Sequence, residues 1–177
     1  MAKLILKAPF YKPYSKTPSG SSRGGYANYI ATRDGVEILP RSGMAGYMGE
    51  RKGSNGLFTD EGQPIVLSKI AEEIDNHTGN VWGMIFSLKR EDAERLGYNS
   101  ASQWMNLLRS HRNDIAKEMG IEPKNLRWYA AFHNEESHPH AHMLVWSSNP
   151  QEPYLSTVAL KILKESLQNQ FFAKIIC

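Results

Sequence analysis

Cysteine is nearly missing from this chain: of 177 residues, only Cys177 is one. That excludes an internal disulfide framework and any cysteine-based metal site, and it fits a reducing cytoplasm, the expected location. Long apolar runs are missing too. No stretch approaches the ~18 apolar residues of a membrane span, so no membrane insertion is expected. The opening Met1-Ala-Lys-Leu-Ile-Leu-Lys-Ala-Pro9 has too short an apolar stretch for a signal peptide and reads as a first strand. Neither sign of charge dominates, the net being +3. The distribution is nevertheless uneven: residues 1–52 hold nine Lys/Arg against three Asp/Glu, and the remainder twelve against fifteen. A basic N-terminal third on a near-neutral body points to a polyanion lying across one side.

Histidine is also scarce, with six in all, yet four fall within ten residues: His133-Asn-Glu-Glu-Ser-His138-Pro-His140-Ala-His142, followed by Met143-Leu-Val-Trp146. On an extended strand, side chains i and i+2 share a face, so His140 and His142 project together. His133, across a short turn, can fold back as a third imidazole. Three neutral imidazoles on a strand pair make a divalent-metal site with open coordination positions. The competing reading is a polar hairpin tip that binds metal incidentally. His77 and His111 read as ordinary surface or satisfied polar residues.

With 41% apolar residues, the length suits one domain with a real core. Strands are expected at Lys3–Lys7, Val81–Leu88, Arg127–Phe132 and Ala141–Ser147. Helical spacing marks Tyr26–Asp34, stopped at Gly35, and Leu67–Asn76, with Ser68 as a possible N-cap. It also marks Glu91–Leu96, a long Ser100–Met119 ended by Gly120, and Thr157 to the end. Residues 9–25 and 52–64 read as loops, and 41–51 as irregular or a short helix. The expected fold is α+β: an antiparallel central sheet with helices packed on one face and the two histidine strands central and adjacent.

From Lys7 to Arg23, Phe10, Tyr11 and Tyr14 interleave with Lys12, Lys16 and Arg23, as a single-stranded nucleic acid requires: cations for phosphates and rings for bases. A solvated loop would look much the same. Tyr26 and Tyr29 are three apart and share a helix face, either for chemistry or for packing. Glu135 or Glu136 could serve as a base for metal-activated water.

The segment Tyr26-Ala-Asn-Tyr29-Ile-Ala-Thr-Arg33-Asp-Gly-Val-Glu37 resembles the first motif of plasmid mobilization relaxases of the MobA/MobL type, within the HUH endonucleases. The run His133…His138-Pro-His140-Ala-His142-Met-Leu-Val resembles their metal motif. Asn76-His-Thr-Gly-Asn-Val-Trp82, Ser87–Tyr98 and Leu107-Leu-Arg-Ser-His-Arg112 are similar to a branch found in mobile elements. The resemblance runs from Lys3 to about Ile176. It implies an HUH relaxase-like fold and a metal-dependent, site-specific DNA nickase acting through a 5′-phosphotyrosyl link. Tyr29 then matches the nucleophile, with Tyr26 in reserve. His133, His140 and His142 match the ligands of a divalent ion (Mg²⁺ or Mn²⁺, with Zn²⁺ as an alternative). The interval from His133 to His140 is one residue shorter than in familiar relaxases, which leaves His138 as an alternative third ligand.

DNA contacts are expected from Lys12, Lys16, Arg23 and Arg33. The implied partners are single-stranded DNA at a transfer origin and accessory relaxosome and transfer proteins. Residues 1–177 form a single relaxase domain in this reading. The apolar face still running at Phe171, Phe172, Ile175 and Ile176 makes the N-terminal part of a longer protein the expectation. Three other readings stay open: a rolling-circle replication initiator, a metallohydrolase using metal-bound water, and a DNA-binding remnant without catalysis.

Overall fold

The computed structural model describes residues 2–39, 55–61 and 64–176, with only the backbone at 172 and 174–176. The expected irregular stretch 41–51 and the side chains of Phe172, Ile175 and Ile176 lie outside the described residues. Five strands make one antiparallel sheet: β1 (Ile5–Lys7), β2 (Phe10–Tyr11), β3 (Val81–Ser87), β4 (Leu126–His133) and β5 (His140–Ser147). Their order is β1-β3-β5-β4, with β2 also paired to β3. The helices are α1 (Arg23–Thr32), α2 (Leu67–Asn76), α3 (Arg90–Leu96), α4 (Ala101–Ser110), α5 (Arg112–Glu118) and α6 (Thr157–Ile176). The α+β class holds. No helix among the described residues is long and apolar enough to cross a membrane.

Alternation on the strands decides where the site sits. On β4, Trp128, Ala130 and Phe132 face one way, while Tyr129, Ala131 and His133 face the other. The first face packs with Trp82, Met84 and Phe86 of β3 under residues of α3 to α6, among them Trp104, Leu108, Leu163 and Phe171. The second face packs Tyr129, Leu144 and Trp146 under Ala27, Ile30, Ile70 and Ile74 of α1 and α2. Helices therefore cover both faces, a correction to the expectation of one. The reason is in β5, which is apolar on both sides from Met143 to Trp146 and needs two covers. All three histidines of interest fall on the α1/α2 face.

The histidine strands are neighbours, as expected, but only β5 is interior. β4 ends the strand order, and its outer edge is closed by loop backbone. Val36 bridges to His133 and Phe58 to Ala130. Phe58 exchanges both backbone hydrogen bonds with Ala130, at 2.8 and 2.9 Å.

Two helix expectations also change. The long helix 100–119 breaks at His111 (φ −105°, ψ 6°), where the ring Nδ1 and the backbone N–H both reach the Leu107 carbonyl. Side-chain competition for that acceptor interrupts the ladder between α4 and α5. Gly120, at φ +65°, ends α5 as expected. At α2 the cap residue is Val66 and no side chain caps it, so Ser68 sits inside the first turn.

The tyrosine-bearing helix is fixed by close packing on α2. A Cβ on Gly24 would lie 2.3 Å from the Ala71 carbonyl oxygen, so only glycine permits this approach. Across that gap Asp75 accepts from the Gly24 N–H at 2.7 Å and from the Ser22 hydroxyl at 3.1 Å. Ser22 accepts in turn from the Gly25 N–H at 3.0 Å. A carboxylate and a hydroxyl thus satisfy the positive end of α1.

Candidate functional site

His133 and His140 face each other across the β4–β5 pair in register, and His142 follows two residues on. One ring nitrogen from each lies within 4.8 Å of the others, making a three-imidazole group that could hold a metal ion. His138 is exposed and contributes its carbonyl rather than its ring, so the geometry brings together His133, not His138, with the other two.

Each imidazole is oriented through its second nitrogen. His133 Nε2 donates to the Ile30 carbonyl at 2.7 Å. That carbonyl is available because α1 ends two residues later and leaves its last carbonyls unpaired within the helix. His140 Nδ1 donates to the His138 carbonyl at 3.0 Å. His142 Nδ1 meets the Tyr26 hydroxyl at 3.1 Å. What remains is His133 Nδ1 and His140 Nε2, 3.3 Å apart, and His142 Nε2, which is buried without a hydrogen-bond partner among the described residues. Two lone pairs facing each other and one orphaned buried nitrogen fit a shared cation held by these three atoms, with the Ile30 and His138 carbonyls fixing the tautomers of His133 and His140.

Electrostatics agree with that fit. Burial lowers the pKa of His133 to about 4 and that of His142 to about 3, with Arg33 and the neighbouring imidazoles adding to the depression. Both rings are neutral at pH 7, as ligands must be. A stability consequence follows. The unfolded chain protonates these histidines below about pH 6.5, whereas the folded one resists. Metal-free stability is therefore complete above about pH 6.5 and is lost as pH falls toward the folded values. At pH 5 the expected loss is on the order of 2 kcal/mol for each ring. Thermal unfolding in chelator at pH 7.5 and 5 measures it, and His142→Gln should remove roughly half of the acid sensitivity.

The tyrosines stand on the helix that supplies the Ile30 carbonyl. Tyr26 is the inner one, with its ring edge-on to His142 at 6.1 Å. Burial raises its pKa to about 12. Tyr29, one turn on, is 47% exposed and stacks on Tyr26 at 6.3 Å. The Arg33 guanidinium lies 5.4 Å from the centre of the Tyr29 ring and also pairs with Glu135. Glu136 is exposed. The turn carrying both acids is held by Arg90, which donates to the Asn134 side chain and to the carbonyls of Glu135 and Glu136. Sequence reasoning missed Arg90 and the Ile30 carbonyl. The stop signal Arg33-Asp34-Gly35 was the clue to free carbonyls at residue 30, whereas nothing local marks Arg90.

Of the cations expected on DNA, Lys12 and Lys16 are exposed and Arg33 is half-buried beside the site. Arg23 is a correction. It is 2% exposed, and its guanidinium donates to the carbonyls of Tyr11, Ile74, His77 and Gly79 at 2.5–3.3 Å. It ties β2, α1 and the end of α2 together and has no face left for phosphate.

A family model describing MobL relaxases matches residues 40–174, which include all four clustered histidines and three quarters of the chain. The chain belongs to the MobL relaxases. The resemblance read from its motifs is thereby borne out for the family. The matched stretch begins beyond α1, so the tyrosines of this relaxase rest on the geometry above. No curated protein and no solved structure matches the chain.

Proposed function

We propose that this relaxase nicks one DNA strand at the transfer origin of a plasmid or other mobile element, moving a phosphodiester onto Tyr29. The observation that carries the reading is the junction of α1 with the triad. One helix orients His133 through the Ile30 carbonyl and His142 through Tyr26, and presents Tyr29 one turn away with an arginine over its ring.

Roles follow from placement. His133 Nδ1, His140 Nε2 and His142 Nε2 hold the divalent ion. When bound, the ion supplies a Lewis acid for the non-bridging oxygens of the scissile phosphate. The all-nitrogen donor set ranks Zn²⁺ above Mn²⁺ and Mg²⁺, which suit oxygen ligands better. Tyr26 positions His142, since its hydroxyl is engaged and its raised pKa opposes phenolate formation. Tyr29 is the exposed phenol, and Arg33, lying over its ring, is placed to steady the incoming phosphate. The bond formed joins Tyr29 Oη to phosphorus. The bond broken joins phosphorus to the 3′-oxygen, and the phenolic proton ends on the released 3′-hydroxyl. One phosphodiester replaces another, so the strand can be rejoined by the reverse step.

Attack by water is less well supported. Glu135 is already paired with Arg33, and Glu136 points from an exposed turn, so neither is a free base at the triad. A replication initiator would share the chemistry and differ only in the origin it acts on. Incubating the protein with single-stranded origin DNA and Mn²⁺ should give a covalent protein–DNA band on a denaturing gel. Chelator should abolish the band. A hydrolysed product with a free 5′-phosphate and no band would sink the proposal, and binding without cleavage would mark a non-catalytic remnant.

A further inference from the structure

The basic, ring-bearing stretch before α1 sorts its aromatics in three ways. Tyr11 is buried, lying 3.0 Å from where a Cβ on Gly83 would be and 5.8 Å from the Tyr26 ring. Phe10 leans on Trp82, on the opposite face of the sheet from the triad. Tyr14 has no ring contact among the described residues and is 80% exposed.

Tyr14 also has φ +60°, and it is the one described residue other than glycine with positive φ. The Ser15 N–H donates to the Lys12 carbonyl at 3.1 Å, closing the turn Lys12-Pro13-Tyr14-Ser15. Proline at the second position and positive φ at the third make it a type II turn, in which glycine or asparagine is the unstrained third residue. A tyrosine there carries the left-handed penalty of its Cβ. Its ring gains no burial in return. The turn is nonetheless held at both ends. Tyr11 is locked under α1, and Thr17 is buried in a network with Ser19 and Ser21 at 2.9–3.0 Å. An exposed ring on a fixed, strained turn, flanked by exposed Lys12 and Lys16, is a platform looking for a flat partner.

The partner's position follows from the chain of contacts. His142 touches Tyr26, Tyr26 touches Tyr11, and Tyr14 stands three residues further, at most about 11 Å of backbone away. We propose that Tyr14 is a base-stacking site for the single strand beside the scissile position, with Lys12 and Lys16 on the flanking phosphates. The inference rests on the strand-nicking reading and extends it to a subsite outside the reacting centre. Stacking is indifferent to which base is presented, so the subsite grips the strand without reading its sequence.

The test uses the whole protein loaded with Mn²⁺ and a short fluorescently labelled oligothymidylate. Tyr14→Gly should bind it about tenfold more weakly, within the range that loss of one stacking ring produces. Its melting temperature should stay the same or rise, because glycine relieves the turn. Tyr14→Trp should bind like the unchanged protein, with its added emission quenched on titration. Lys12→Gln and Lys16→Gln should each flatten the salt dependence by somewhat less than one unit of slope. Unchanged affinity in Tyr14→Gly overturns the subsite and leaves the nicking function standing. A fall of several degrees in its melting temperature overturns it too, by showing the ring to be structural. Failure of the unchanged protein to bind oligothymidylate overturns the subsite, whereas the function it rests on stands or falls with the covalent adduct on origin DNA.

Discussion

Tyr29→Phe should bind origin DNA as tightly as the unchanged protein and hold metal as well, yet lose covalent adduct formation by at least about a thousandfold. The ring stays, so stacking on Tyr26 and the place under Arg33 are kept, and only the attacking oxygen goes. Tyr26→Phe should behave differently. Removing its hydroxyl frees His142 Nδ1, which lowers metal affinity and nicking rate together by roughly 10–100-fold, the usual cost of losing a residue that orients a ligand. Raising the Mn²⁺ concentration should recover part of the Tyr26→Phe activity and none of the Tyr29→Phe activity. Peptide mapping of the adduct closes the question. A phosphotyrosyl peptide carrying residue 26, persisting in Tyr29→Phe, would exchange the two roles.

Arg23→Met should cost about 3–5 kcal/mol of stability, a large share of what a domain of this size holds. Methionine fills a similar volume but donates nothing, so four carbonyls, from β2, α2 and the loop after α2, lose their buried partner at once. Burial lowers the pKa of Arg23, and the nearby Asp75 carboxylate acts against that. The charge is thus tolerated because it is both hydrogen-bonded and electrostatically matched. Arg23→Lys should recover only part of the loss, because an ammonium lacks the planar fork that reaches all four acceptors. Urea unfolding at constant slope gives the number. A variant with unchanged unfolding midpoint but weaker DNA binding would return Arg23 to the phosphate role read from sequence.

The contrast between Arg23 and the histidines shows what could be read in advance. His140 and His142 needed only the two-residue period of a strand, and His133 only an antiparallel return after a short turn. These are local rules that hold wherever the strands are placed. The class of fold followed for the same reason, from periodicities within each segment. Arg23 could not be placed that way, because its acceptors lie 12 to 56 residues distant and become neighbours only when α2 docks on α1. The break at His111 depends on a side chain competing for one carbonyl, which helical spacing does not register. The second helical layer was legible in principle, since β5 is apolar on both faces, but short apolar strands read alike whether covered once or twice. Tyr14 lay between these cases. Residues 9–25 read only as a loop, and the positive φ at residue 14 had no signal in the sequence.

The closed flank of β4 limits how other proteins can approach this relaxase. A partner peptide seeking to extend the sheet by β-augmentation beside the histidine strand would first have to strip away the backbone pairs made by Val36 and Phe58. Assembly on that side must therefore proceed through side chains and loop surfaces. The strand that carries His133 is also shielded from the edge-to-edge stacking by which exposed sheets aggregate.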